Sequence, residues 1–318
     1  MFNDIKNARN ILILPHLRAD GDCLGSSFAL KLILENMGKT VVLLTEEELL
    51  PKFKNIIFTG KECNYDGQFD AVIAVDSGDA ARLGVRKRYF DEAFANPSAV
   101  TVCIDHHISN SGFAEKNYID PKASSTGECL YNLCVENSIP FDREIANNLF
   151  VSIVSDTGRF MFANTSPRTF EAAAFLVKFG FDLQNININL FSSNTLAFYK
   201  LQKIAIDSLL MYCDNRVACV HLYADDVASA GASYDDCTDI ISIARGIEGV
   251  LVAVFVREMG NGKVKVSLRS KFTSGVDVSK ICCAYGGGGH VQAAAFDTDL
   301  DVISARDMIV EKLAEVLG

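Results

Sequence analysis

Short apolar runs rich in β-branched residues alternate with helix-period segments through the first half of the chain. That alternation restricts it to a parallel sheet covered by helices. Strands are expected at residues 11–14, 41–45, 71–75 and 101–104, with helices at about 26–37, 126–137 and 143–154. The fold class is therefore α/β. From about residue 185 an Asn- and Ser-containing stretch leads into a helix-like segment that ends near 210, which we read as a connection. The expected organisation is a parallel-sheet domain over 1–187, a linking helical region over 188–210, and a smaller α/β domain over 211–318 facing the first across a cleft. In the smaller domain, strands are expected at 216–222, 250–257 and 263–269, and helices near 235–245, 276–283 and 302–317. No internal repeat, heptad pattern or low-complexity tract interrupts this plan.

The 318 residues are 49% hydrophobic, enough to build a core in each domain. The polar segment from Met1 to Asn10 leads into an apolar run broken by Pro15 and His16, so the apolar centre of a signal peptide is missing. Nothing approaches the ~18 uninterrupted apolar residues of a membrane span. The ten cysteines, Cys103, Cys213 and Cys219 among them, are scattered through apolar segments without zinc-type spacing. The adjacent Cys282 and Cys283 do not easily share one metal. Reduced thiols and a cytoplasmic location are expected. A net charge of −10 argues against coating duplex DNA or long RNA, where affinity comes from many Lys and Arg contacts with phosphates. A small phosphorylated ligand, needing only a few local cations, stays open.

The acidic residues and histidines fall at particular places relative to the strands. The first run is followed by His16-Leu-Arg-Ala-Asp20-Gly-Asp22, the third by Asp76-Ser-Gly-Asp79 and the fourth by Asp105-His106-His107. In an open parallel sheet the carboxyl ends of the strands share one edge, where ligands bind, so these groups can converge. Asp156, at the end of the 143–154 helical run in Asp156-Thr-Gly158, can join them. Each motif has an ordinary alternative: Asp20-Gly-Asp22 as a turn and helix cap, Asp76-Ser-Gly as a strand-to-helix turn, Asp156-Thr-Gly as a helix stop. Asp105-His106-His107 resists that treatment, because three ionisable groups directly after an apolar strand perturb one another unless a metal compensates them. Asp and His without Cys favour Mn²⁺ or Mg²⁺ over structural Zn²⁺, and the imidazoles favour Mn²⁺. Two such cations can stabilise the entering and leaving oxygens of phosphoester hydrolysis.

These motifs resemble the DHH phosphoesterase family, named for Asp105-His106-His107. Gly25-Ser26 completes a first motif like the family's, and Gly286-Gly-Gly-Gly289-His290 looks like the signature of the DHH-associated C-terminal domain. The resemblance implies one metal held by His16, Asp20 and Asp76, and a second held by Asp22, Asp76, His106 and Asp156, with Asp76 as the bridge. It further implies that His107 contacts phosphate or the leaving group, and that Asp105 orients the histidines. Ala19 stands where many standalone members carry Pro, which affects the stiffness of the loop.

The glycine run lacks the Gly-Lys-Ser/Thr ending of a nucleotide P-loop. It permits close approach of backbone N–H groups to phosphate at Gly288 and Gly289, with His290 adding a donor; a surface turn is the alternative. The alternating strand at 263–269 sets Lys263, Lys265, Ser267 and Arg269 on one face. For the two lysines we expect a solvated edge strand. For Arg269 and Ser270, the resemblance implies contact with the substrate's phosphate or base. The resemblance implies release of mononucleotides from short single-stranded RNA oligonucleotides and of the 3′-phosphate from adenosine 3′,5′-bisphosphate. Cyclic- or linear-dinucleotide hydrolysis, polyphosphate or pyrophosphate hydrolysis, and a non-catalytic nucleotide sensor are the alternatives. A homodimer is compatible with the sequence.

Overall fold

Strands that are apolar on both faces bury two layers of side chains at once, which requires helices above and below the sheet. A computed structural model describes residues 1–46, 48–63, 65, 67–237 and 239–318. The chain divides into two units, Met1–Ser193 and Asn194–Gly318. In the first, β1 (Asn10–Pro15), β2 (Thr40–Leu43), β3 (Ala71–Val75), β4 (Val100–Asp105) and β5 (Lys116–Ile119) form a sheet in the order β2-β1-β3-β4-β5. Every neighbouring pair is parallel. Ile11, Ile13, Ile73, Val102 and Ile104 enter one core, while Leu12, Leu14, Val72, Ala74 and Cys103 enter the other.

The helices are α1 (Gly21–Asn36), α2 (Pro51–Lys54), α3 (Lys87–Ala95), α4 (Thr126–Glu136), α5 (Arg143–Asp156), α6 (Pro167–Leu176) and α7 (Leu183–Phe191). The first core takes residues of α1, α4 and α5; the second is closed by Phe90 and Ala93 of α3. The strand order changes direction at β1, which leads to β2 on one side and to β3 on the other. Such a switch point leaves a crevice beyond the carboxyl ends of its strands. His16 follows β1 and Asp76 follows β3, so the topology alone brings these two to that crevice.

Helices α1 and α5 approach closely because Gly25 has no side chain. A Cβ there would lie 2.5 Å from the Asn148 carbonyl oxygen and 2.7 Å from the Ser152 nitrogen. Backbone atoms cannot swing aside. Gly25→Ala is therefore expected to cost about 1–3 kcal/mol by overpacking, read as a lowered urea midpoint. An unchanged midpoint would show that the two helices are free to separate.

The second unit carries β6 (Leu210–Tyr212), β7 (Val217–Leu222), β8 (Val252–Glu258), β9 (Val264–Ser270), β10 (Gly288–His290) and β11 (Ala293–Thr298) in the order β10-β11-β9-β8-β7-β6. Its helices are α8 (Leu196–Asp207), α9 (Ala224–Ala230), α10 (Ile241–Arg245), α11 (Val278–Ala284) and α12 (Val302–Leu317). Among the described residues of this unit, β7 and β8 alone pair in parallel. Phe198, Leu201 and Ala205 of α8 pack on one face of this sheet, and Val302, Ala305, Ile309 and Leu313 of α12 on the other.

The edge-strand expectation for Lys263 and Lys265 is overturned, because β9 lies between β8 and β11, inside the sheet. Lys263 stands just before it and Lys265 is half-buried on it. The missing neighbour is β11, whose Ala293-Ala294-Ala295 opening has little intrinsic strand preference. The helix expected over 235–245 is shorter, with α-helix only over Ile241–Arg245.

Candidate metal centre

Asp20 is the N-cap of α1: its Oδ1 accepts from the backbone N–H groups of Asp22 and Cys23, each at 3.1 Å. The cap places Asp22 in the first turn, pointing into the protein at 2% exposure. There Oδ2 accepts the Thr126 N–H at 2.9 Å and Oδ1 the Gly127 N–H at 3.2 Å. The Ser152 hydroxyl donates to the same Oδ1. The amino end of α4 thus fixes a carboxylate that comes from α1, as a helix dipole favours.

Asp76 continues the ladder by donating its N–H to Ile104 O at 2.9 Å, yet its φ is +58°, left-handed for a residue with a Cβ. Strain of this kind costs on the order of 1 kcal/mol and persists where the surroundings demand it. It aims the carboxylate at the crevice, where Oδ1 accepts from the Thr126 hydroxyl at 2.8 Å.

The imidazoles are held from behind. His16 Nδ1 bonds Leu17 O at 2.7 Å, leaving Nε2 3.4 Å from Asp76 Oδ2. His106 Nδ1 bonds Ala123 O at 3.3 Å, and its Nε2 faces Asp22 Oδ2 at 3.5 Å, Asp156 Oδ2 at 3.7 Å and Asp76 Oδ1 at 3.8 Å. Donors at adjacent corners around one cation with bonds of 2.0–2.1 Å stand about 3 Å or more apart. One nitrogen facing three carboxylate oxygens at such spacings fits coordination better than hydrogen bonding. Asp156 is the last residue of α5, at the negative end of that helix. Asn164 holds it, donating to Asp156 O at 3.1 Å, Asp156 Oδ2 at 3.3 Å and Ser124 O at 2.8 Å.

Behind His106, Asp105 is fully buried; its Oδ1 pairs with His107 Nδ1 at 2.7 Å and its Oδ2 accepts from Asn110 at 2.6 Å. Burial opposes a charge on His107, but the hydrogen bond and charge of Asp105, with the charge of Asp76, outweigh it and hold His107 above its ordinary value. Burial and the charges of Asp76, Asp156 and Asp20 push Asp22 well above the carboxylate range. Burial raises Asp156 to about 6 against the pull of His106. Burial also opposes ionisation of Asp76, but His16, His106 and His107 prevail and bring it to about 2. Without a cation, the cluster retains protons that a metal ion would displace.

Two donor groups result: His16, Cys23 and Asp76 in one, Asp22, His106 and Asp156 in the other, with donor atoms within 4.8 Å of one another inside each. Asp76 also groups with His106 and His107, so it stands between the two positions. The donor set of carboxylates and imidazoles on a rigid rim fits a pair of divalent cations. Five of the six ligand candidates, His16, Asp22, Asp76, His106 and Asp156, are brought together; Asp20 adjoins them as the helix cap. Cys23, Thr126, Ser152 and Asn164 join the site without having been expected there from the sequence. Only Thr126 carried a signal, in the small polar run Ser124-Ser125-Thr126-Gly127 ahead of a helix.

In the second unit, Arg269 lies on β9 on the face opposite Val264, Val266 and Leu268, while Ser270 is buried and holds the Val291 carbonyl at 3.4 Å. Burial and the charge of Arg245, from α10, lower the pKa of Arg269. Gly288, Gly289 and His290 form the exposed edge strand β10, where a Cβ on Gly289 would strike Ala294 Cα at 2.6 Å.

Residues 10–153 match the profile described as DHH family, N-terminal domain, and residues 215–317 match the DHHA1 domain. The chain belongs to the DHH family and is a phosphoesterase by class. Among curated proteins it is similar to the bifunctional oligoribonuclease and PAP phosphatase NrnA of Thermus thermophilus, with 30% identity over 96% of this chain and 90% of that protein. The protein of the same name from Bacillus subtilis is 25% identical over 89% of this chain and 88% of its own length. The fold is shared with an exopolyphosphatase-related protein from Bacteroides fragilis, at a TM-score of 0.88 and 21% identity over 99% of this chain and 96% of that one. No helix among the described residues is long and apolar enough to cross a membrane.

Proposed function

We propose that the chain hydrolyses short oligoribonucleotides to mononucleotides and removes the 3′-phosphate of adenosine 3′,5′-bisphosphate, using two divalent cations, preferentially Mn²⁺. The observation that carries this is His106 Nε2 facing Asp22, Asp76 and Asp156 at 3.5–3.8 Å, in a chain similar to the NrnA proteins along nearly its full length. His16, Asp20 and Asp76 would hold one cation, and Asp22, Asp76, His106 and Asp156 the other. Bound there, the pair supplies Lewis acidity and lowers the pKa of water.

The chain's own residues do the rest. Thr126 and Ser152 orient the carboxylates so that little reorganisation is needed at the moment of reaction. His107, whose pKa the bond to Asp105 helps to raise, would contact the phosphate or the departing oxygen, with Asp105 fixing the orientation of its ring. Arg269 takes a terminal phosphate through its planar fork, with Gly288, Gly289 and His290 as further donors and Ser270 fixing the end of the strand. The net charge of −10 favours a short, single-stranded or mononucleotide substrate over duplex DNA.

The test is a panel with Mn²⁺: RNA dimers to pentamers, the bisphosphate, linear and cyclic dinucleotides, and polyphosphate. Turnover is expected on the first two groups, and Arg269→Ala is expected to lower kcat/KM there by roughly 10²-fold, about 2.7 kcal/mol. Turnover confined to polyphosphate, or an Arg269→Ala variant with unchanged constants, would contradict the assignment.

A further inference from the structure

Cys23 is the third residue of α1 and is fully buried, but it does not merely fill core space. Its sulfur accepts the backbone N–H of His16 at 3.2 Å and donates to the carbonyl of Val75 at 3.6 Å, the residue before Asp76. It therefore ties the end of β1 to the end of β3. Its Sγ also lies within 4.8 Å of the donor atoms of both His16 and Asp76. Asp20, the carboxylate that the family pattern sets beside these two, has Oδ1 engaged in capping α1.

We propose that Cys23 is a conditional ligand: the His16–Asp76 position becomes a nitrogen, oxygen and sulfur site when the cation is thiophilic, and stays a nitrogen and oxygen site when it is hard. The inference rests on the metal-centre assignment above. A hard cation such as Mn²⁺ gains little from sulfur and leaves the thiol protonated on Val75. With Zn²⁺ or Cd²⁺ the S–H bond breaks, the proton passes to solvent, and the sulfur lone pair forms the metal–sulfur bond. No electron is transferred. The His16 backbone N–H remains as a donor to the sulfur. The consequence is a difference between the two positions: the His16–Asp76 position offers sulfur to a zinc-group metal, whereas the Asp22–His106–Asp156 position offers nitrogen and oxygen.

The probe is Cd²⁺ added to the metal-free full chain, followed by ultraviolet sulfur-to-cadmium charge-transfer absorption. The unaltered protein should develop the band with one equivalent. Cys23→Ser and Cys23→Ala should lose it, bind Cd²⁺ at least about tenfold more weakly, and still take up Mn²⁺ as seen by electron paramagnetic resonance. Cadmium nuclear magnetic resonance of the unaltered protein reads the donor set without any substitution, so a variant that fails to fold leaves the test intact. Bound Cd²⁺ with no sulfur signal, or a band that survives in both variants, overturns this inference alone. Failure to bind either Cd²⁺ or Mn²⁺ overturns the metal centre with it.

Discussion

Asp76→Asn will lower kcat/KM on the bisphosphate by at least about 10³-fold, equivalent to about 4 kcal/mol of transition-state stabilisation. The amide keeps the size of the side chain, and asparagine tolerates the left-handed backbone that Asp76 adopts at φ +58°, so the fold should be preserved. What is lost is charge at a residue that stands within reach of His16, His106 and His107 together. In the proposed centre both cation positions share that carboxylate, so Mn²⁺ affinity should fall at both instead of at one. Calorimetric titration beside kinetics checks this. A variant that binds two equivalents of Mn²⁺ as tightly as the parent would remove Asp76 from its proposed place as the bridge.

Mn²⁺ affinity will fall steeply as the pH drops from about 7 to about 5, by at least tenfold overall. In the metal-free protein Asp156 titrates near about 6, and Asp22 lies well above the carboxylate range, both driven there first by burial. Below those values each group carries a proton that the cation must displace, which costs about a factor of ten per proton per pH unit. The sign for stability is the reverse of the usual carboxylate case. For Asp156, a folded pKa of about 6 above the ordinary value means that the metal-free protein loses stability as pH rises through about 4 to 6. For Asp76, held at about 2, stability is present above the ordinary value and is lost as pH falls toward about 2. Added Mn²⁺ should therefore raise the melting temperature much more at pH 7 than at pH 5. Equal increments at the two pH values would show that the carboxylates are not linked to metal binding.

How much of this was legible in the sequence depends on the range of each interaction. The parallel sheet was legible because β1, β3 and β4 are apolar on both faces, a pattern that survives without tertiary context. Their carboxyl ends were legible too, which is why His16, Asp76 and the Asp105-His106-His107 run could be named from position, the choice of His106 over His107 resting on the family resemblance. β5 and β11 were not, since Lys116–Ile119 is short and half polar and the opening of β11 is a run of alanines. Both are strands because a neighbour's backbone is waiting for a partner. The groups that hold the ligands in place were hidden for the same reason. Thr126 meets Asp22 across 104 residues and Ser152 meets it across 130, and no local pattern encodes such a contact. Cys23 looked like an ordinary core thiol because the cysteines are scattered through the chain without metal-type spacing. Asp20-Gly-Asp22 turned out to satisfy two descriptions at once, with Asp20 as the helix cap and Asp22 carried by that cap into the centre.

The most direct measurement is anomalous diffraction at the manganese edge from crystals grown with Mn²⁺. Two peaks about 3.5–4 Å apart are expected, with Asp76 between them and His16 and His106 on opposite sides. No peak within bonding distance of Asp76, or a single peak touching neither imidazole, would contradict the binuclear centre on which the proposed chemistry depends.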